Sequence, residues 1–263
     1  MIDIHHHCLP GVDDGPRALS EAVDLCRMSE DEGIEAIVAT PHVLRGRWKN
    51  TSREQMTAIL DELRSKIGQR PRIVLGSEYF FAHDMDEMLR NQSILPLAGG
   101  RYVLVEFDAH SVPPLVREAL YRVQLDGWTP VIAHPERNIV FRAKPALLAS
   151  LIRAGVKTQV TTGSILGDFG PEAQASAVEW VKRGWVHVFA TDAHNRAKRP
   201  PRFRAARERV RDLVGETTAE ALFSGNPKSI LDNVGLVYDP DIPEQLGKES
   251  GGIFHRMRRF FTK

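Results

Sequence analysis

Strand-like runs punctuate the chain at residues 2–6, 34–40, 72–77, 101–107, 129–133, 156–161 and 186–191. Their length and the turn residues around them are those of buried strands. Between them the spacing becomes helical. Leu19, Ala22, Val23 and Cys26 fall at i, i+3, i+4 and i+7, and the stretches 51–68, 114–126, 143–154 and 172–183 carry weaker versions of the same stripe. Alternation of strand and helix predicts an α/β fold with a parallel sheet and right-handed crossovers. A run as apolar as Tyr102-Val103-Leu104-Val105 predicts a sheet covered on both faces.

Most of these runs end in an imidazole or a carboxylate. His5 and His7 close the first, with Asp14 on the loop beyond it. His42 follows Ala39-Thr40-Pro41, Glu78 follows Val74-Leu75-Gly76-Ser77, and Glu106 follows Val103-Leu104-Val105. His134 follows Ala133, while Asp192 and His194 close the last run. An open sheet gathers its ligand groups at one switch point. A barrel can bring one from every strand end to a common rim. Candidates on the first, second, third, fourth, fifth and seventh runs favour the barrel.

Residues i and i+2 of a strand point the same way, so His5 and His7 can chelate one ion while His6 faces away. A carboxylate ending an apolar strand, as Glu106 does, is buried and needs a partner or a metal. Asp14 before Gly15 reads equally as a turn residue, and His42 or His134 alone as a packed histidine. The shared placement of nine such residues is what points to a multinuclear metal centre and a metal-dependent hydrolase. Imidazole and carboxylate without thiolate suit Mn, Fe or Zn. His6, His83, His110, His187 and His255 have no matching position, and Cys8 reads as a structural thiol.

The chain has 263 residues, 42% of them hydrophobic, enough for one large core. A net charge of +1, with no basic stripe interleaved with aromatics, excludes a general nucleic-acid binder. Two cysteines, Cys8 and Cys26, give no disulfide framework and fit a reducing compartment. The N-terminus lacks the basic and apolar regions of a secretory signal, and no apolar run approaches the roughly 20 residues of a membrane span. A cytoplasmic protein is expected, with its oligomeric state left open. A barrel domain is expected over 1–234 and an irregular basic tail over 235–263. In that tail Ile253, Met257, Phe260 and Phe261 are spaced as an apolar stripe beside Arg256, Arg258, Arg259 and Lys263. It reads either as a weak contact with an anionic membrane, about 1 kcal/mol per basic residue, or as a solubilising tail.

Cysteine-based phosphoester chemistry is excluded, because it needs an arginine six residues past the nucleophile. Asp14 stands there after Cys8, and Glu32 after Cys26. Walker and dinucleotide glycine motifs are absent as well.

Taken together, His5-x-His7 with Asp13-Asp14-Gly15, Thr40-Pro41-His42, Glu78, Glu106, His134-Pro135-Glu136-Arg137 and Asp192-x-His194 resemble the polymerase-and-histidinol-phosphatase (PHP) superfamily. Leu9-Pro10-Gly11-Val12-Asp13-Asp14-Gly15, the segment from Thr162 to Gly170 and Asp192-Ala193-His194-Asn195 are similar to the bacterial manganese-dependent protein-tyrosine phosphatases of capsule and exopolysaccharide operons. The resemblance implies a distorted seven-stranded (β/α) TIM-like barrel with three divalent ions, manganese foremost, on its C-terminal rim. It implies His5, His7, Glu106 and Asp192 around one ion; Glu78, His134 and a bridging Glu106 around a second; Asp14, His42 and His194 around a third. The implied substrate is a phosphotyrosine-bearing autokinase, which would draw the enzyme to the inner membrane. His6 departs from the pattern, where a small polar residue is usual, and Cys8 is a second unusual choice.

Phosphate-monoester hydrolysis calls for enhancements up to about 10²¹. A metal cluster can bring the pKa of water from about 15.7 to about 7 and clamp phosphoryl oxygens. Arg137, three residues past His134, and Arg199, five past His194, are expected to bind those oxygens through their planar forks. No residue stands out as the general acid; for a phenolate leaving group, of pKa about 10, metal-bound water is the alternative. The loop from Gly163 to Gly170 either offers N–H groups to an anion or closes a strand–helix connection. The competing functions are a PHP phosphatase for a small phosphoester such as histidinol phosphate and a non-catalytic phosphoprotein scaffold.

Overall fold

Parallel strands organise the chain. The computed structural model describes residues 1–50 and 52–243, and the basic segment 251–263 with His255 lies outside them. The strands are β1 (Ile2–His6), β2 (Ala36–Ala39), β3 (His42–Val43), β4 (Arg72–Leu75), β5 (Glu78–Phe80), β6 (Tyr102–Glu106), β7 (Thr129–Ala133), β8 (Lys157–Thr161) and β9 (Val188–Ala190). They form a three-stranded sheet, β1-β2-β4, and a six-stranded sheet, β3-β5-β6-β7-β8-β9.

The seven expected runs therefore appear as nine paired segments, because the second and third, expected to end at residues 40 and 77, are each followed past a short break by a further strand, β3 and β5. Pro41, which has no N–H to give, separates β2 from β3, and Gly76-Ser77 separates β4 from β5. Pairing continues through the interruptions, with Gly76 N–H on Ala39 O at 2.9 Å and Glu78 N–H on Pro41 O at 3.1 Å. The last strand also approaches the first. His6 and Ala193 form an isolated parallel bridge, Asp192 N–H reaches His5 O at 2.8 Å, and His7 N–H reaches Ala193 O at 2.9 Å.

Helices fill the connections: α1 (Leu19–Asp31), α2 (Arg53–Ile67), α3 (Met85–Arg90), α4 (Val116–Leu125), α5 (Ile139–Ala143), α6 (Pro145–Arg153), α7 (Thr162–Leu166), α8 (Pro171–Lys182), α9 (Phe203–Val214), α10 (Glu216–Glu220) and α11 (Asn226–Leu231). Their ends follow local chemistry. Ser52 Oγ accepts the Gln55 N–H at 3.2 Å ahead of α2, and Pro145 and Pro171 open α6 and α8. The stripe of α1 is turned slightly from the sequence reading: Ala22, Leu25, Cys26 and Ser29 are buried, with Leu19 and Val23 at its margin. The Gly163–Gly170 stretch is not simply a loop, since its first half is the short helix α7, ended by Gly167 at φ 94°.

Two apolar clusters result. The larger lies between sheets and helices. The smaller joins Ile4, Val38, Leu104, Val131, Val188 and Ala190 from strands of both sheets, with Leu97 and Ile230 packed against them. After α11 the chain runs back over the strand starts. There Asp239 meets Lys157 Nζ at 2.6 Å and His187 Nε2 at 3.3 Å, and Tyr238 and Ile242 pack on the core. Among the described residues no helix is long and apolar enough to cross a membrane.

Candidate metal centre

The smaller apolar cluster and the candidate ligands belong to the same rows of side chains. Even sequence spacings along extended backbone return to one face. Leu104 and Glu106, Val38 and His42, Val74 and Glu78, and Val188 and Asp192 are such pairs, the first of each in or against the smaller cluster and the second further along the chain: Glu106 ends β6, His42 and Glu78 open β3 and β5 just past β2 and β4, and Asp192 lies two residues past β9. β1 follows with a register shift between Asp3 and His6; such bulges re-aim side chains. His134 and Asp192 adopt φ of 33° and 52°, left-handed conformations rare for non-glycine residues. Both are fixed by surrounding contacts, and both fall at the rim.

All nine sequence candidates converge there. His7, Asp14, His42 and His194 present ligand atoms within 4.8 Å of one another; so do His5, His134 and Asp192; His5, His7 and Glu78; and His42, Glu78 and Glu106. Glu78 has four imidazoles around it, 3.3 Å from His5 Nε2, 3.3 Å from His7 Nε2, 2.8 Å from His42 Nδ1 and 2.9 Å from His134 Nε2. Glu106 lies 3.6 Å from His42 and 3.9 Å from His134. Asp14 bridges His42 Nε2 at 3.2 Å and His194 Nε2 at 3.1 Å. Except for Asp14, every one of these residues is buried.

The donor set fits divalent cations. His42 Nδ1, Glu78 Oε2, Glu106 Oε2, Asp192 Oδ1 and His194 Nε2 are buried without a hydrogen-bond partner, although opposite groups sit beside them. Close approach without hydrogen-bond alignment is how ligand atoms are disposed when they point at a common centre, and buried polar atoms are otherwise paired. Charge argues the same way. Burial, and then the neighbouring Glu78 charge, push the Glu106 carboxyl up to about 8, while burial of Glu78 is outweighed by His5, His42 and His134, which hold it well below the carboxylate range. Two buried carboxylates this close require positive charge between them.

Two residues that sequence reasoning left without a role, Asp13 and Gln159, orient imidazoles, as does the backbone of the candidate ligand Asp192. His7 Nδ1 is 2.8 Å from Asp13 Oδ2, His5 Nδ1 is 2.9 Å from Gln159 Oε1, and His194 Nδ1 is 2.9 Å from Asp192 O. Each partner accepts a hydrogen bond from Nδ1–H and leaves the Nε2 lone pair facing the cluster. Asp13 was visible in the Asp13-Asp14-Gly15 motif; nothing local distinguishes Gln159 within β8. His6 turns away to Ser29 Oγ at 3.0 Å, His187 is buried against Thr158, and His83 and His110 are exposed. Cys8 is buried in the core.

Arg137 and Arg199 arrive from separate loops and share one acceptor, Asp192 Oδ2, which Arg137 Nη1 reaches at 2.5 Å. The turn carrying Arg137 is pinned by buried Glu136, whose Oε1 accepts Thr161 N–H at 3.0 Å and Ser164 Oγ at 2.7 Å. Phe169 underlies the guanidinium, 4.4 Å from ring centre to Cζ. α7 thus closes a connection and supports Arg137 through Ser164. Asn195 Oδ1 accepts the N–H groups of Ala197, Lys198 and Arg199 and shapes the second loop.

Parallel strands delivering imidazoles and carboxylates to one rim, with two arginines beside them, define a metal-dependent hydrolase of phosphoesters. The chain belongs to the CpsB/CapC family of capsular polysaccharide synthesis, whose model matches residues 1–232. It is 35% identical over 198 residues to the tyrosine-protein phosphatase YwqE of Bacillus subtilis, covering 74% of this chain and 78% of that protein. It is 30% identical over 238 residues to the tyrosine-protein phosphatase CpsB of Streptococcus pneumoniae, covering 88% and 98%. A crystal structure from the study of YwqE and CpsB as metal-dependent tyrosine phosphatases superposes with a TM-score of 0.87 and 32% identity, over 92% of this chain and 99% of that one.

Proposed function

We infer that the protein is a metal-dependent protein-tyrosine phosphatase acting on a phosphorylated bacterial tyrosine kinase in capsular or exopolysaccharide synthesis. The observation that carries the reading is the convergence of nine candidate ligands with Arg137 and Arg199 at one rim, in a chain whose relatives YwqE and CpsB are tyrosine phosphatases. The two sheets are taken as one distorted seven-stranded barrel. Backbone bonds from the segment just past β9 to the end of β1, and an apolar cluster drawn from both sheets, support this.

His5, His7, Asp14, His42, Glu78, Glu106, His134, Asp192 and His194 would hold three divalent ions, manganese foremost. The trio Asp14, His42 and His194, joined by His7 in the structure, is the candidate set for one. When bound, such ions polarise phosphoryl oxygens and make water more acidic. The chain's own residues do the rest. Asp13 and Gln159 keep imidazole lone pairs aimed inward. Arg137 and Arg199 offer guanidinium N–H groups to the non-bridging oxygens, and Phe169 holds the first of them in place. These arginines, each 23% exposed, are reached from solvent, which suits a phosphoryl group carried on a protein surface.

Turnover of phosphotyrosine, phosphoserine and histidinol-phosphate substrates by the Mn-reconstituted protein tests the reading. Phosphotyrosine is expected to dominate. Preference for histidinol phosphate would replace it with a small-molecule phosphatase, and no turnover of any of the three would leave a phosphoprotein scaffold.

A further inference from the structure

We propose that Arg45 is a third guanidinium that grips the substrate phosphoryl group, approaching from the Glu106 side of the cluster while Arg137 and Arg199 approach from the Asp192 side; this rests on the phosphatase reading above. No sequence rule marks Arg45, which sits in a loop rather than at a strand end. The loop is nevertheless built. Trp48 N–H bonds Arg45 O at 3.0 Å, and the Asn50 side-chain amide donates to Val12 O at 3.0 Å and His42 O at 2.8 Å. Trp48 stacks on the His42 ring at 5.4 Å and 20°, and the Arg47 guanidinium lies over its ring, 5.3 Å from the centroid. These contacts aim Arg45 at the cluster.

Its Nη1 lies 2.9 Å from Glu106 Oε1 and 2.9 Å from His42 Nε2. Both partners are candidate metal ligands. The same holds for Arg137 and Arg199, whose shared carboxylate is Asp192. Arg45 and Arg137 also line one small cavity of about 40 Å³ together with Glu106, Phe107 and His134. Cations held by Glu106, His42 and Asp192 would compete for these ligand atoms and leave the guanidinium N–H groups to an anion. Arginine's fork then matches phosphoryl oxygens from two directions. At 37% exposure the Arg45 side chain is the freest of the three and reaches in from solvent.

The test uses the Mn-loaded full chain with Arg45→Gln and Arg45→Lys. Four quantities are read: KM and kcat for a phosphotyrosine peptide, Kd for inorganic phosphate by calorimetry, and bound Mn. Arg45→Gln is expected to raise KM and phosphate Kd by about tenfold or more, the loss of one charge-assisted contact, with Mn content unchanged and Arg45→Lys recovering part. Unchanged KM and phosphate Kd would overturn the proposal. So would loss of Mn, which would make Arg45 a prop for Glu106 and His42. A wild-type protein that binds phosphate but does not hydrolyse phosphotyrosine would defeat the phosphatase reading instead, and the phosphate Kd would still decide the role of Arg45.

Discussion

Replacing Asp13 by asparagine isolates the orientation of one metal-facing imidazole. The Asp13 carboxylate accepts three contacts: His7 Nδ1 at 2.8 Å and His42 N–H at 3.2 Å on Oδ2, and Gly15 N–H at 2.9 Å on Oδ1. Burial would raise its pKa, but His7 outweighs that and holds it below the usual value. On His7, burial is likewise outweighed by Asp13, which raises the imidazole pKa well above normal. Asparagine keeps the shape and one acceptor. With its NH₂ towards His7, it forces the proton from Nδ1 to Nε2 and removes the lone pair that faces the cluster. Loss of such an orienting partner weakens metal affinity by about 10–100-fold, or about 1.4–2.7 kcal/mol. Turned the other way, the amide leaves Gly15 N–H facing a donor, which costs about 1–3 kcal/mol of stability. Calorimetric Mn titration of the chelator-stripped protein reads the first, and urea unfolding in chelator reads the second. Mn affinity within twofold of wild type, together with unchanged unfolding, would refute the reasoning.

Three further outcomes follow from the same structure. Arg137→Lys and Arg199→Lys should each raise KM for phosphotyrosine peptide by about tenfold while bound Mn stays constant, because lysine cannot reproduce a bidentate fork; metal analysis beside steady-state kinetics checks this, and Mn loss with unchanged KM would contradict it. Metal saturation about 100-fold above Kd should stabilise the fold by about 2.7 kcal/mol, raising the thermal midpoint by about 5–10 °C over chelator-treated protein; identical melting curves would remove the cations from the buried cluster. Away from the site, the His187 imidazole 3.3 Å away, opposed by partial burial and reinforced by Lys157, lowers the Asp239 pKa from 3.8 to about 2. A depressed folded pKa contributes stability that is present above the unfolded value and lost as pH falls through the folded one. Asp239→Asn should therefore be less stable than wild type above about pH 4, with the two converging towards pH 2 in urea titrations; a gap that persists at pH 2 would exclude this pairing as the cause.

The nine candidate ligands could be read from the chain because their signal is local: a strand-like run of limited length, then a carboxylate or imidazole at its end. Glu106 after Val103-Leu104-Val105 and His42 after Ala39-Thr40-Pro41 both follow that rule. Alternation along an extended backbone then puts Glu106 on the face of Leu104 without any knowledge of neighbours. What the chain could not display is pairing between strands. Gln159 sits in Lys157-Thr158-Gln159-Val160-Thr161, where nothing marks it, and only the meeting of β8 with the first strand's end brings it to His5. The interruptions at Pro41 and Gly76, the helix in place of the Gly163 loop and the sharing of Asp192 by two arginines are of the same kind. Sequence by itself determined which side chains end the strands and what chemistry they carry. Tertiary structure decided which of them meet and which partners aim them, because strand pairing and register depend on contacts between segments far apart in the chain.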